Sequence, residues 1–472
     1  MASRDAQVVV VGGGISGLAC AHRLHKAGID VLLVEASDRV GGKIRTITED
    51  GYQFEAGPNT LIANKPELLQ LIRDAGLENE IVDGSPASKR RWISLNGRMC
   101  PLPSSPVAAL TSPLLGPGAV ARVLGDLFMG RGDRGPEDES VASFITRHFG
   151  RRVIDNLAAP FLTGVYAGDV DRLEARSVLP MLVSAEAEKG SVIRGLIAAK
   201  KAARRAGKPR LPLRTITFRD GLESLPRRLA AGLGDRVMLN AAVSTLDQDG
   251  SRVRVNLSDG STLAAERIVL TSGARVSAGF VRTLPGGAEI AARLERVPQA
   301  GLSMVGLAYD RSTIDHPLDG FGYLNGPGSS GPVLGSLFRS SVFPHVAPAG
   351  KGLLVAFLGG VRFPGYAERP ESELIGLAER ELRERVNLRA APLRTFVCRW
   401  PGAVAQYERG HAKLRQRVEE WSRAGRVSVV GAALTGVSLN DCAAAGFAEA
   451  ERLASALEPG SRTREGELCA SV

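Results

Sequence analysis

At 472 residues the chain is longer than one compact core usually holds, so two or three domains with room to bury a large cofactor are expected. Hydrophobic residues make up 44% and charged residues 23%, as in an ordinary globular protein, and the formal net charge is +10. That charge suits an anionic membrane surface, a polyanionic substrate or simply a basic solvated exterior; no zinc-finger spacing and no aromatic-plus-basic RNA signature points to nucleic acid.

Gln7–Val11 is a continuous β-branched run and predicts a strand buried on both faces. It leads straight into Gly12-Gly13-Gly14-Ile15-Ser16-Gly17, which argues against a signal peptide. A helix over Leu18–Ala27 with Gly28 as its stop, then a buried strand over Asp30–Glu35, complete a βαβ unit. In Gly12-x-Gly14-x-x-Gly17 the first glycine makes the tight turn, the second lets backbone approach a pyrophosphate and the third packs helix on strand. The helix N-terminus offers free N–H groups to the diphosphate, and Glu35 is placed to accept ribose hydroxyls. A second match, Gly326-Pro-Gly328-Ser-Ser-Gly331, has flanking prolines and no helix or acid after it, and reads as a turn.

Pro101–Pro117 reads as a loop, and residues from about Gly118 to Arg205 read as helices. Gly221–Leu233 predicts a helix, and Arg236–Leu239, Val243–Asp247, Arg252–Leu257 and Arg267–Thr271 predict strands, with Asp259-Gly260 as a turn. Residues 300–365 read as strands joined by Gly/Pro turns, and 371–388 as a charged surface helix. Val427–Val430 reads as a buried strand, followed by a helix from about Asn440 to Leu457 and a polar, disordered tail over 461–472. The picture is a cofactor domain assembled from three separated stretches, with a substrate region in the gaps.

Cys20, Cys100, Cys398, Cys442 and Cys469 form no CxxC pair, and the histidines form no ligand cluster, so no metal site is expected and a reducing compartment fits. No apolar run reaches the about 18–20 residues of a membrane span. Val192, Ile193, Leu196 and Ile197 make an apolar stripe before the basic run Lys200, Lys201, Arg204, Arg205, Lys208 and Arg210. Such a stripe can lie on anionic lipid or pack inside the fold.

Ser37–Gly42 contains an Arg-x-Gly-Gly turn just past Glu35, and resembles the extended fingerprint of the amine-oxidase-like FAD superfamily. That motif commonly ends in Arg; here Lys43 follows, which leaves its contact open. The ordered stretches VVVVGGGISGLA, RVGGKIRT, GPNTL, SKRRW, TGVYAGD, GFGYL and GVSLNDC resemble oxygen-dependent protoporphyrinogen oxidases over about residues 7 to 457.

The resemblance implies an α/β fold: a Rossmann-like, p-hydroxybenzoate-hydroxylase-type FAD domain (1–88, 213–285, 396–460), an α+β substrate domain (89–103, 286–395) and a helical membrane-binding region (104–212). It places FAD contacts on Gly12, Gly13, Gly14, Ile15, Ser16, Gly17, Glu35, Ala36, Gly42, Lys43, Gly57, Pro58, Asn59, Thr60, Val243, Ala432, Val437, Ser438 and Leu439. It implies a porphyrinogen held between Phe321, Leu324, Leu337 and Phe357, with the Gly164 backbone facing the pyrrole N–H groups, Asn59 near the flavin and Arg91 pairing with a propionate.

Without the resemblance, the two phenylalanines and Leu324 read as core, and Arg91 is not distinguishable from Lys89 and Arg90. The implied chemistry needs no protein base: flavin takes hydride from a meso carbon, oxygen reoxidises it to give peroxide, and three such cycles yield protoporphyrin IX. The helix start at Ser438–Asp441 is expected to face the flavin N1–C2=O edge.

With only one dinucleotide turn, oxygen rather than NAD(P)H is the expected electron partner. A cytoplasmic location, peripheral on the cytoplasmic membrane, and a homodimer are compatible with the resemblance. The competing readings are oxidation of coproporphyrinogen III, which carries four propionates rather than two, a flavin amine oxidase, and a non-catalytic flavin- or porphyrin-binding escort.

Overall fold

The computed structural model describes residues 4–457 apart from 104–107, 110, 131–134, 208–212, 327–328 and 330. The expected disordered tail, Lys208, Arg210, Cys469 and half of the second glycine pattern lie outside the described residues.

Arg4–Val11 and Val31–Val34 pair in parallel, with the helix Ile15–Lys26 crossing between them. Val8–Val11 and Val31–Val34 are buried, because this part of each strand carries apolar side chains on both faces. Beside Arg4–Val11 lies Thr262–Leu270, also parallel. Its first half pairs antiparallel with Arg252–Leu257, which hairpins to Val243–Asp249. Its second half, Ile268–Leu270, pairs in parallel with Val427–Val429. Val237–Met238 completes the sheet next to Val31–Val34. This Rossmann-like sheet therefore draws strands from three distant stretches.

The second sheet runs, edge to edge, Arg394–Ala405, Gln299–Asp310, Lys351–Gly359, Val333–Leu337, Gly322–Asn325, Trp92–Leu95 and Arg98–Pro101. The expected cofactor segment beginning at 396 thus opens inside a strand of this sheet. The helix Glu371–Val386 covers it with Leu374, Ala378, Leu382 and Val386, four residues apart and all buried, while its charged face meets water. Thr46–Glu49 and Tyr52–Glu55 form a separate hairpin whose turn residues Asp50 and Gly51 both have positive φ, at 49° and 80°.

The described residues between 116 and 205 are mainly helical: Gly116–Gly125, Val141–Phe149, Ala159–Tyr166, Pro180–Lys189 and Val192–Arg205 are the longer members. Buried His148 pins them together, with Nδ1 on Asp126 and Nε2 3.2 Å from Glu186. The stripe considered for lipid is largely turned inward: Val192 is buried and Leu196 packs against the core, which leaves Ile197 exposed. Among the described residues no helix is long and apolar enough to cross a membrane.

Candidate active site

The helix Ile15–Lys26 begins where the first strand ends, so its unpaired N–H groups open onto the carboxyl end of the parallel sheet. The turn is held by sterics. Gly12 has φ +110°, and a methyl on Gly17 would sit 2.0 Å from the Gly12 carbonyl oxygen. Thr271, at the end of the neighbouring strand, donates its hydroxyl to the Val11 and Gly12 carbonyls at 3.0 and 3.1 Å. Gly14 differs: a methyl there would meet nothing within 4 Å, so this position faces open space. Ile15 and Ser16 are buried in the first helical turn.

The Gly13 N–H donates to Glu35 Oε2 at 2.6 Å, and Glu35 Oε1 accepts from the Ser37 N–H and hydroxyl. The acid is thus oriented and partly open, with exposed Ala36 beside it. The Ala241 N–H donates to the Glu35 carbonyl at 2.9 Å, which carries the chain past the acid to half-buried Val243.

The second glycine turn folds back on the first. The Gly41 N–H donates to the Gly13 carbonyl at 2.8 Å, and a methyl on Gly42 would lie 3.4 Å from Gly14 Cα. Lys43 follows; its ammonium donates to the Ala403 carbonyl at 2.6 Å, and burial lowers its pKa although the side chain still meets the open cleft. Gly57 packs flush on this turn, since a methyl there would fall 1.8 Å from the Lys43 carbonyl oxygen. Next come half-buried Pro58 and Thr60 around buried Asn59. The Asn59 side-chain amide donates to the Gly57 carbonyl at 3.0 Å, while its Oδ1 is buried with no partner.

The opposite wall is the loop from Gly431 into the helix Leu439–Leu457. Ala432 and Ser438 are exposed there, and Val437 and Leu439 half-buried. The Ser438 hydroxyl accepts from the Asp441 N–H at 3.1 Å, as an N-cap side chain does, and donates to the Asp441 carboxylate at 2.6 Å. That hydroxyl is committed to the helix, so a contact from Ser438 to a ligand would come from its backbone. Lys65 pairs with the same carboxylate.

On the second sheet, Leu324, Gly335, Phe357, Met304 and Cys398 stand opposite one another across five strands and share one face. Leu337, two residues beyond Gly335, points the same way. Leu324, Phe357 and Phe321 are only half-buried, and Leu337 is buried. The helix Ala159–Tyr166 approaches so closely that a methyl on Gly164 would lie 2.5 Å from Leu324 Cδ2.

Arg91 separates itself from its neighbours. Arg90 pairs with Asp319, whereas the Arg91 guanidinium lies 5.1 Å from the Phe321 ring centre, is half-buried, and pairs with no carboxylate among the described residues. Burial lowers its pKa. The structure therefore brings Arg91, Gly164, Phe321, Leu324, Leu337 and Phe357 around one apolar face.

The profile of the flavin-containing amine oxidoreductases matches residues 15–454. Protoporphyrinogen oxidase 1 of Arabidopsis thaliana chloroplasts is 33% identical over 85% of this chain and 79% of its own length. The chain belongs to the protoporphyrinogen/coproporphyrinogen oxidase family of flavin-containing amine oxidoreductases. The coproporphyrinogen III oxidase of Bacillus subtilis is 29% identical over 94% of this chain and 96% of its own length. A crystal structure from Exiguobacterium sp. 255-15 shares the fold at a TM-score of 0.80 and 24% identity, covering 96% of this chain and 99% of that one.

Like its family, this protein is an FAD-dependent oxidase. The residues present fit FAD: open space at Gly14 over a helix N-terminus suits the diphosphate, Glu35 suits the ribose, and the orphaned Asn59 Oδ1 marks a polar group awaiting a partner. No group of His, Cys, Asp or Glu among the described residues is arranged to hold a metal ion.

Two supports of this oxidase's cleft carried no sequence signal. Trp400, on the edge strand of the second sheet, donates its indole N–H to the Ala56 carbonyl at 2.6 Å, just before Gly57. Buried Tyr407 donates to the Ala432 carbonyl at 2.7 Å, accepts from the Gly436 N–H at 2.8 Å, and stacks on His411 with ring centres 4.1 Å apart. It closes the loop that carries Ala432. Tyr407→Phe removes both contacts and strands the buried Gly436 N–H, at about 1–3 kcal/mol for a buried group left unpaired. A lower melting temperature and faster FAD release, read by the rise of free-flavin fluorescence, are the expected result.

Proposed function

We propose that this oxidase converts coproporphyrinogen III to coproporphyrin III with FAD and molecular oxygen, releasing hydrogen peroxide. The observation that carries the porphyrinogen reading is an unpaired, half-buried guanidinium, Arg91, at the edge of the apolar face bearing Leu324, Leu337 and Phe357. A flexible, greasy tetrapyrrole with ionised propionates matches both parts. The choice of coproporphyrinogen is supported by near end-to-end similarity to relatives of that name. Besides the B. subtilis protein, the coproporphyrinogen III oxidase of Staphylococcus aureus aligns over 94% of this chain and 98% of its own length. A net charge of +10 also suits a substrate with four carboxylates.

The second reading, protoporphyrinogen IX, is favoured by higher identity to plant protoporphyrinogen oxidases, 33% for the Arabidopsis protein and 34% for that of rice. Aerobic fluorescence from both porphyrinogens, assayed in parallel, decides: a larger kcat/KM for protoporphyrinogen would reverse the choice. A flavin that stays oxidised in anaerobic mixing with either would instead leave the escort reading.

When bound, FAD supplies the hydride acceptor and hands the electrons to oxygen. The chain's own part is to bind and orient. Arg91 holds a propionate, the apolar face flattens against the macrocycle, and the Gly164 backbone meets the pyrrole N–H groups. No side chain in the row from Leu324 to Cys398 offers a base, because burial raises the Cys398 thiol pKa, so the released proton passes to solvent.

Lys65 bears on how easily the cofactor is reduced. Lys65→Met leaves the Asp441 carboxylate uncompensated at the helix start that faces the flavin in this reading. Extra negative charge there opposes the reduced anion. The midpoint potential, followed by dye equilibration, is expected to fall by about 30 mV, a tenfold change for a two-electron couple.

A further inference from the structure

Arg339 is wholly buried, and lies two residues past Leu337, at the seam between the second sheet and the loop Gly57–Thr60. One guanidinium nitrogen donates to the backbone carbonyl of Asn59. Another lies 3.3 Å from Glu55 Oε1, and Glu55 is equally buried. The Glu55 carboxylate also accepts from the Leu222 N–H at 2.9 Å and the Thr46 hydroxyl at 2.8 Å, so its own position is set. The guanidinium stands 5.0 Å from the Phe343 ring centre, which closes one face. Its Nε has no partner.

A buried pair of this kind is weak evidence for stability, because desolvation offsets the attraction. Burial drags the Arg339 pKa down to about 10, with Glu55 pulling the other way. An apolar pair would fill the same space without that cost. What an apolar pair lacks is a donor aimed at Asn59.

We infer that Arg339 is a positioning residue, anchored on Glu55, that fixes the Asn59 carbonyl and so sets the spacing between the flavin-side loop and the substrate face at Leu337. The inference rests on FAD lying beside Asn59, and it reaches the reaction only through that loop. Backbone contact carries it: Gly57 is already flush on the Lys43 turn, so Asn59 is the part of the loop left for Arg339 to hold.

The test uses three holoenzymes: Arg339→Met, the double variant Glu55→Gln with Arg339→Met, and Arg339→Lys. Methionine keeps the length and removes the donor. The double variant removes both charges, so it folds even where Arg339→Met alone does not. Lysine keeps a charge for Glu55 but cannot replace both contacts. Each is read by FAD content, the shape and position of the bound-flavin absorbance bands, the midpoint potential, and kcat against KM for both porphyrinogens.

The expected result is full FAD content with shifted bands and potential in the double variant. Its kcat should fall about tenfold to a hundredfold, as a misplacement of about 1 Å does, with KM little changed. Arg339→Lys should fall between the double variant and the parent. A double variant with the parent's bands, potential and kcat would overturn the inference and leave Arg339 a packing residue. Since bands and potential need no substrate, they decide this point even if neither porphyrinogen is turned over by the parent.

Discussion

Gly14→Ala and Gly17→Ala are expected to abolish FAD binding by different routes. In Gly17→Ala the new methyl falls 2.0 Å from the Gly12 carbonyl oxygen and 2.8 Å from Thr271 Oγ1, so helix and strand must part. The carbonyl is backbone at a left-handed turn and cannot swing aside. The melting temperature should drop even without cofactor, consistent with an overpacked core that typically costs about 1–3 kcal/mol. Gly14→Ala meets no protein atom within 4 Å, and its extended φ of −71° suits alanine. Its cofactor-free form should melt with that of the parent. The methyl occupies the open space proposed for the diphosphate, so the protein should purify colourless and stay so on reconstitution. Calorimetry of both apoproteins, with FAD titration beside it, separates the two. A yellow Gly14→Ala protein would remove the diphosphate from this turn.

Arg91→Met should lower kcat/KM for porphyrinogen by about 10- to 150-fold, the loss of one charge-assisted contact worth about 1.5–3 kcal/mol. The loss should fall mainly in KM, because in the proposed binding mode the guanidinium holds the rim of the macrocycle and not its reacting carbon. Arg91→Lys keeps the charge without the fork that pairs bidentately with a carboxylate, so it should recover only part. Arg90→Met is the internal control: Arg90 is exposed and already paired with Asp319, and its loss should leave kcat/KM nearly unchanged. Equal losses at 90 and 91 would show that the effect is general charge and not a seat for a propionate.

Much of the cofactor side was legible in the sequence. The glycine turn, its flanking strands and Glu35 are local features, contained within the first 35 residues, and short-range sterics dictate them. The Arg-x-Gly-Gly turn and the GPNT loop were legible only by resemblance, yet they pack on the first turn through Gly41, Gly42 and Gly57.

What stayed hidden is long-range. Tyr407 reaches Ala432, Trp400 reaches Ala56, and Lys65 reaches Asp441; nothing within several residues of any of them marks the partner. Arg394–Ala405 was missed for a local reason. Pro401 and Gly402 disfavour a central strand, but proline is tolerated on an edge strand, and this strand is the sheet's edge, with a register shift near Leu302. The choice of Arg91 among three adjacent cations needed a fact that composition cannot hold: Arg90 pairs with Asp319, Lys89 is exposed, and of the three Arg91 is the one half-buried against Phe321.

The central strand Thr262–Leu270 has consequences for biosynthesis. Half of one edge is reserved for Val427–Val429, which leaves the ribosome more than 150 residues later. Until then the nascent chain exposes Ile268–Leu270, an apolar ribbon with unpaired amides that invites aggregation. In the proposed placement of FAD, the turn near residue 12 and the loop near 436 both contact the dinucleotide, so a full grip waits for the second of them. The vitamin-derived prosthetic group is therefore a post-translational arrival, and a cell short of riboflavin should accumulate this polypeptide as a target for chaperones and proteases.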